Sequence, residues 1–170
     1  KKELMAMGLS IGADVPFFVF QKPAIASGIG EKLEAYQGLK NLKILLVFPE
    51  FSVSTAEVYK KLNLGLTKCK KKLKSFPLNK QRFDPRCHLC NDLESVTVLK
   101  YPIINTVKTA LLSHGALGAL MAGSGPTIFG LFPDSNEASK ARHALSHIDK
   151  WQMYIADMIT QGSGFRIDDA

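Results

Sequence analysis

Gly115-Ala116-Leu117-Gly118-Ala119-Leu120-Met121-Ala122-Gly123-Ser124-Gly125-Pro126-Thr127-Ile128-Phe129-Gly130-Leu131-Phe132 is the stretch from which the rest of the chain can be organised. Residues 117–121 and 127–132 are strand-like runs on either side of a loop made of small residues. On the N-terminal side, Pro102 stands in the first turn of a helix. Ile104, Val107 and Leu111 recur there at i, i+3 and i+7, and Gly115 ends the run. On the C-terminal side, Asp134-Ser135-Asn136-Glu137 opens a capped helix reaching about His147, and 152–156 reads as a last short strand.

Further upstream, Lys43-Ile44-Leu45-Leu46-Val47-Phe48 is the clearest buried strand and Pro49 closes it. Ser54-Thr55-Ala56-Glu57 follows with a capping-box pattern, a hydroxyl answered by a carboxylate three residues on, and opens a helix to about Leu62. A short helix starts at Asn91. From residue 43 onward the order is roughly β-α-α-β-β-α-β, which predicts an α+β fold, a ferredoxin-like sandwich. Residues 2–9 read as the end of a helix. The apolar runs 17–20 and 24–27 read as adjacent strands, with Glu31 to Tyr36 extending the meander, and 162–170 as a frayed tail.

The composition, 46% hydrophobic and 22% charged over 170 residues, is that of a globular chain rather than a disordered one. No apolar run approaches the roughly 20 residues that span a bilayer, so no membrane partner is expected. Lys1-Lys2-Glu3-Leu4 has no signal-peptide core behind it and reads as a helix entered midway. The net charge of +7 is concentrated in one segment. Between Lys60 and Cys90 ten Lys/Arg stand against Asp84 alone, five of them within Lys68-Cys69-Lys70-Lys71-Lys72-Leu73-Lys74. That run reads as a solvated loop or helix end, and without interleaved aromatics it does not predict a nucleic-acid partner. Cys69, Cys87 and Cys90 are odd in number and follow no secretory signal, which predicts reduced thiols in a cytoplasm. Cys87-His88-Leu89-Cys90 has the spacing of half a zinc knuckle, but the second half is missing and no metal site is expected.

Three stretches can carry chemistry. In Gly12-Ala13-Asp14-Val15-Pro16 an acid sits between tiny residues and a stiff Val-Pro pair, either closing a helix as an Asx turn or offering a carboxylate to a substrate hydroxyl. Ala122-Gly123-Ser124-Gly125-Pro126 is either a plain tight turn or a backbone cradle for an anion. Ser52 to Tyr59 sets hydroxyls at a helix start with a ring one turn on, capping being the plainer reading. Asn91-Asp92-Leu93 adds a polar pair opening a helix, again with capping as the plain reading.

The order of these motifs is more specific than any one of them. Gly-Ala-Asp-Val-Pro-Phe-Phe at 12–18, Gly-Ile-Gly-Glu at 28–31, Pro-x-x-x-Val-Ser-Thr-Ala-Glu-Val-Tyr at 49–59, Asn-Asp-Leu at 91–93 and the glycine motif at 115–129 resemble the GHMP superfamily of small-molecule kinases. Within it, the series resembles the branch acting on 4-diphosphocytidyl-2-C-methyl-D-erythritol in non-mevalonate isoprenoid biosynthesis. The resemblance implies transfer of the γ-phosphate of ATP, with Mg²⁺, to the 2-hydroxyl of that cytidine-diphosphate-linked substrate. It makes Asp14 the catalytic aspartate, taking or orienting the proton of the substrate hydroxyl, with Ala13 beside it. It places Gly123, Ser124 and Gly125 near the transferring phosphoryl, and Thr55 and Tyr59 near the cytidine moiety. It divides the chain into 1–40, the tail end of an N-terminal kinase domain, 41–160, a GHMP C-terminal domain, and 161–170, a tail. The family's phosphate loop, lysine and cytosine-reading histidine lie upstream of residue 1, so the missing N-terminal half is an expected partner. Exposed apolar surface is expected on 17–26. The alternatives are a homoserine- or mevalonate-type kinase, and a non-catalytic basic binding module using Lys68–Lys74.

Overall fold

The computed structural model describes residues 1–63, 69, 82–148 and 151–160. The lysine run, Cys69 apart, and the tail from 161 lie outside the described residues. The chain forms two compact units, Lys1–Asn41 with the residues from Ile159 onward, and Leu42–Met158.

In the first unit, α1 (Lys2–Ile11) ends at Gly12, whose N–H donates to Gly8 O. Gly8 is buried because α2 (Val15–Phe20) packs on it: a Cβ there would meet Val15 Cγ1 at 2.8 Å. The apolar run 17–20 is therefore helix, not the expected strand. Pro16 stands in the first turn of α2, where a missing N–H costs nothing, instead of holding Val15 extended in a strand. Four apolar residues are too few for periodicity to separate a helical turn from a strand. Gln21, at φ 58°, stops the helix in the left-handed region. Phe17 and Phe18 are left 44% and 72% exposed, as expected of this stretch. β1 (Ala24–Ser27) and β2 (Lys32–Ala35) then pair as an antiparallel hairpin.

The second unit contains β3 (Lys43–Phe48), α3 (Thr55–Lys61), α4 (Pro85–His88), α5 (Asp92–Lys100), α6 (Ile103–Ser113), β4 (Gly118–Met121), β5 (Ile128–Phe132), α7 (Ser135–Leu145) and β6 (Gln152–Asp157). Its strands form one antiparallel sheet in the order β4-β5-β3-β6. The first strand of the unit lies between its third and fourth, the ferredoxin-like arrangement that the element order predicted. Leu45 and Val47 of β3 alternate onto the buried face, where they join Ile128 and Phe132 of β5. The stripe Ile104, Val107 and Leu111 covers them from α6, and Ala138, Ala141 and Leu145 from α7; none of these six is more than 1% exposed.

The thiol expectation is corrected. Cys69 and Cys90 form a disulfide, and only Cys87 is free. The fold carries two residues 21 apart in sequence to a Cα separation of 5.5 Å, within bonding reach, which no local spacing reveals.

Candidate functional site

Asp14 and Ala13 lie in the first unit, exposed at the turn between α1 and α2. Asp14 occupies the N-cap position of α2, yet its carboxylate makes no capping hydrogen bond. Backbone closes the turn instead: Val15 N–H donates to Gly12 O and Phe17 N–H to Asp14 O, both at 3.1 Å. The Asx-turn reading thus loses its hydrogen bond, and the acid stands free of a capping role. Gly30, at φ 119°, brings the β1–β2 turn against this backbone, since a Cβ on it would lie 3.3 Å from Ala13 O. Glu31 ties that turn by accepting the Ile29 N–H at 2.7 Å.

The other predicted residues gather in the second unit. Ser54 caps α3, with Glu57 N–H donating to Ser54 Oγ at 3.4 Å. Thr55 starts that helix and Tyr59 lies one turn on, 59% exposed. The capping box is only half formed. The Glu57 carboxylate turns away to Lys100 on α5, 2.9 Å from Nζ, because an ammonium is a stronger partner than a backbone N–H. Lys100 holds the Glu57 carboxyl below the usual carboxylate range, and Glu57 raises the Lys100 ammonium above its own. A lowered carboxyl stabilises the fold above its unfolded pKa and loses this as pH falls through the folded one. A raised ammonium stabilises below its unfolded pKa and loses this as pH rises through the folded one. The pair therefore ties α3 to α5 between roughly pH 5 and 10. Its side chains are 53% and 56% exposed, so screening keeps the contribution small. In thermal melts at pH 7, Glu57→Gln is expected to shift the midpoint only slightly, and 1 M salt to remove the difference.

Thr55 Oγ1 stands 2.8 Å from Ser124 Oγ, joining the start of α3 to the loop between β4 and β5. This loop is small because it must turn tightly: Ala122 N–H donates to Thr127 O at 2.8 Å and Gly125 N–H to Ala122 O at 2.9 Å. Gly123 has φ 54° and open space where a side chain would go, whereas Gly125 has φ 90° and a Cβ there would lie 2.7 Å from Met121 Sδ. Gly125→Ala is therefore expected to be the worse substitution, by about 1–2 kcal/mol in denaturant titrations, because strain and collision add.

One face of α5 grips the same loop. Asn91 caps the helix by accepting the Leu93 N–H at 3.1 Å, and its Nδ2 donates to Met121 O at 2.9 Å and to Gly123 O at 2.7 Å. Glu94 accepts the Met121 N–H at 2.9 Å and pairs through its other oxygen with Lys108. Thr97, 1% exposed, points its hydroxyl at Leu93 O and Ser124 O, 3.1 and 3.2 Å away. Sequence reasoning found Asn91 as a cap and missed the rest. The signal was the three-residue step from Asn91 to Glu94 to Thr97, which puts polar groups on one helix face. Among the described residues, the N–H groups of Gly123 and Ser124 have no backbone acceptor, a geometry suited to an anionic oxygen.

Residues 78–148 match the family model described as GHMP kinases C terminal. A curated relative from Pelobacter propionicus, named 4-diphosphocytidyl-2-C-methyl-D-erythritol kinase, is 47% identical over 159 residues, 93% of this chain and 56% of the relative. One of the same name from Syntrophus aciditrophicus is 45% identical over 152 residues, 89% of this chain and 54% of its own length. The chain thus spans about half the length of the curated relatives it matches. A crystal structure of 4-(cytidine 5'-diphospho)-2C-methyl-D-erythritol kinase, 28% identical, matches with a TM-score of 0.68 over 89% of this chain and 56% of that one. Homoserine kinase from Cytophaga hutchinsonii, 20% identical with a TM-score of 0.58 over 78% of this chain and 46% of that one, shares the fold.

Proposed function

Since this chain belongs to the GHMP kinase family, we propose that it is part of a small-molecule kinase that moves the γ-phosphate of ATP, with Mg²⁺, to the 2-hydroxyl of 4-diphosphocytidyl-2-C-methyl-D-erythritol. Residues 1–40 are read as the end of its N-terminal domain and 41–160 as its C-terminal domain, working in the cytoplasm with the remaining half of the protein. The observation that carries this reading is Asp14, an exposed acid at a helix start whose carboxylate has no capping duty. A carboxylate free of that duty can accept the proton of an attacking hydroxyl. The hydroxyl oxygen forms the new P–O bond, ADP departs with the electrons of the bond that breaks, and the proton passes to Asp14. Phosphoryl transfer asks mainly for positioning and for fixed donors near the developing charge. The open N–H groups of Gly123 and Ser124 are such donors and fit a phosphate oxygen. ATP brings the phosphoryl group and Mg²⁺ neutralises its charge; neither the metal nor the adenosine is assigned to a residue of this chain.

The Thr55 and Ser124 hydroxyls and the exposed Tyr59 ring are read as contacts to the substrate, with the ring closing over cytosine. A base stacked on an aromatic side chain is worth about 1–3 kcal/mol. Tyr59→Ala is thus expected to raise KM for the cytidine substrate about tenfold and to leave kcat nearly unchanged in steady-state assays. The reading as a whole is tested by ADP release from the complete protein with the cytidine substrate, homoserine and mevalonate. Turnover with the cytidine substrate alone supports it. Turnover only with another alcohol moves the substrate within the superfamily, and none with any overturns the kinase assignment.

A further inference from the structure

The grip of α5 on the glycine loop does more than hold two elements together, because it sets the direction of particular peptide groups. In a trans peptide the C=O and the following N–H point opposite ways. Fixing a carbonyl therefore aims the next residue's N–H. Three carbonyls are fixed by α5 and its cap: Met121 O at the end of β4 and Gly123 O in the loop by Asn91, and Ser124 O by Thr97. The N–H groups opposite the first and third are used inside the loop, Ala122 N–H on Thr127 O and Gly125 N–H on Ala122 O. The N–H opposite the second belongs to Ser124. Among the described residues it has no backbone acceptor, and with Gly123 O held by Asn91 the trans peptide turns it away from that amide. Asn91 is saturated by this duty: its Oδ1 takes the Leu93 N–H, and both protons of its amide nitrogen go to carbonyls.

We propose that Asn91 is a positioning residue which, through Gly123 O, presents the Ser124 N–H to an anionic phosphate oxygen of the bound ligand. The proposal rests on the kinase reading and deepens it. Asn91 touches no reacting atom. Its effect passes through one peptide group, and preorganised backbone donors of this kind act where transition-state charge develops.

Asn91→Asp separates this role from the cap. Aspartate caps a helix about as well as asparagine. It has no amide protons, however, and sets a carboxylate against two carbonyls. Asn91→Ser keeps a cap without that repulsion and serves as the second variant. In the complete protein both are expected to lower kcat about tenfold or more while KM for ATP and for the cytidine substrate stays within about threefold. In hydrogen exchange, the Ala122 amide, opposite the Met121 carbonyl that Asn91 holds, is expected to exchange at least tenfold faster, while Leu45 and Val47 in the sheet keep their protection. Native kcat in both variants overturns the proposal, and so does a lower kcat with unchanged loop exchange. The exchange arm needs no substrate. If native protein turns over none of the alcohols, the kinase reading fails and the positioning role with it, while faster loop exchange still reports Asn91 as a structural tie.

Discussion

Asp14→Asn in the complete protein is expected to lower kcat with the cytidine-linked substrate by about 10²-fold or more, the size associated with losing a positioned general base. The substitution removes a proton acceptor and little else. Asp14 is exposed and makes no capping hydrogen bond, and the turn that holds it closes through backbone groups of Gly12, Asp14, Val15 and Phe17. Asparagine suits an N-cap position as well as aspartate does, so the melting temperature should barely move. KM for the same substrate should change little, because the carboxylate is used in the transition state rather than in binding. A drop in kcat with unaltered stability therefore marks a chemical role. A variant that turns over at the native rate removes Asp14 from the chemistry, and one that melts much earlier returns it to the turn.

The parts of this fold that were legible in the sequence are those whose physics is local. Lys43–Phe48 is a strand at the expected residues because a bounded run of β-branched and aliphatic side chains has few other uses. Ile104, Val107 and Leu111 are fully buried because a helical stripe can bury itself only on one side. Asp134 caps α7, accepting the Glu137 N–H, as the Asp-Ser-Asn-Glu pattern indicated. What was not legible depends on chain brought from far away. The disulfide joins residues 21 apart, and the Thr55–Ser124 contact spans 69. The α2 helix was misread for a different reason, since its four apolar residues satisfy either period and the proline decides between them. The candidate loop was found by composition, but its geometry is imposed by α5, whose polar residues look like ordinary capping and surface positions when read alone.

Glu94 is where that tertiary dependence should be most costly to disturb. One carboxylate oxygen accepts the Met121 N–H at 2.9 Å and the other pairs with Lys108, with side-chain exposures of 14% for Glu94 and 21% for Lys108. Glu94→Ala leaves a largely covered lysine side chain without this partner and a strand-end N–H without its acceptor. Removing one member of a buried pair costs about 3–5 kcal/mol, and the remaining exposure of both side chains places this case near the low end, about 3 kcal/mol. For a unit of this size that corresponds to a fall in melting temperature on the order of 10 °C. Glu94→Ala with Lys108→Met should recover part of the loss, because the stranded charge is gone even though the Met121 N–H still lacks its acceptor. Thermal melts and denaturant titrations of the single and double variants decide it. A loss under about 1 kcal/mol in the single variant would place the pair among ordinary surface contacts, whose typical worth is of that size. A loss near 3 kcal/mol, partly recovered in the double variant, assigns the larger share to the buried charge and the smaller to the hydrogen bond at the entrance of the glycine loop.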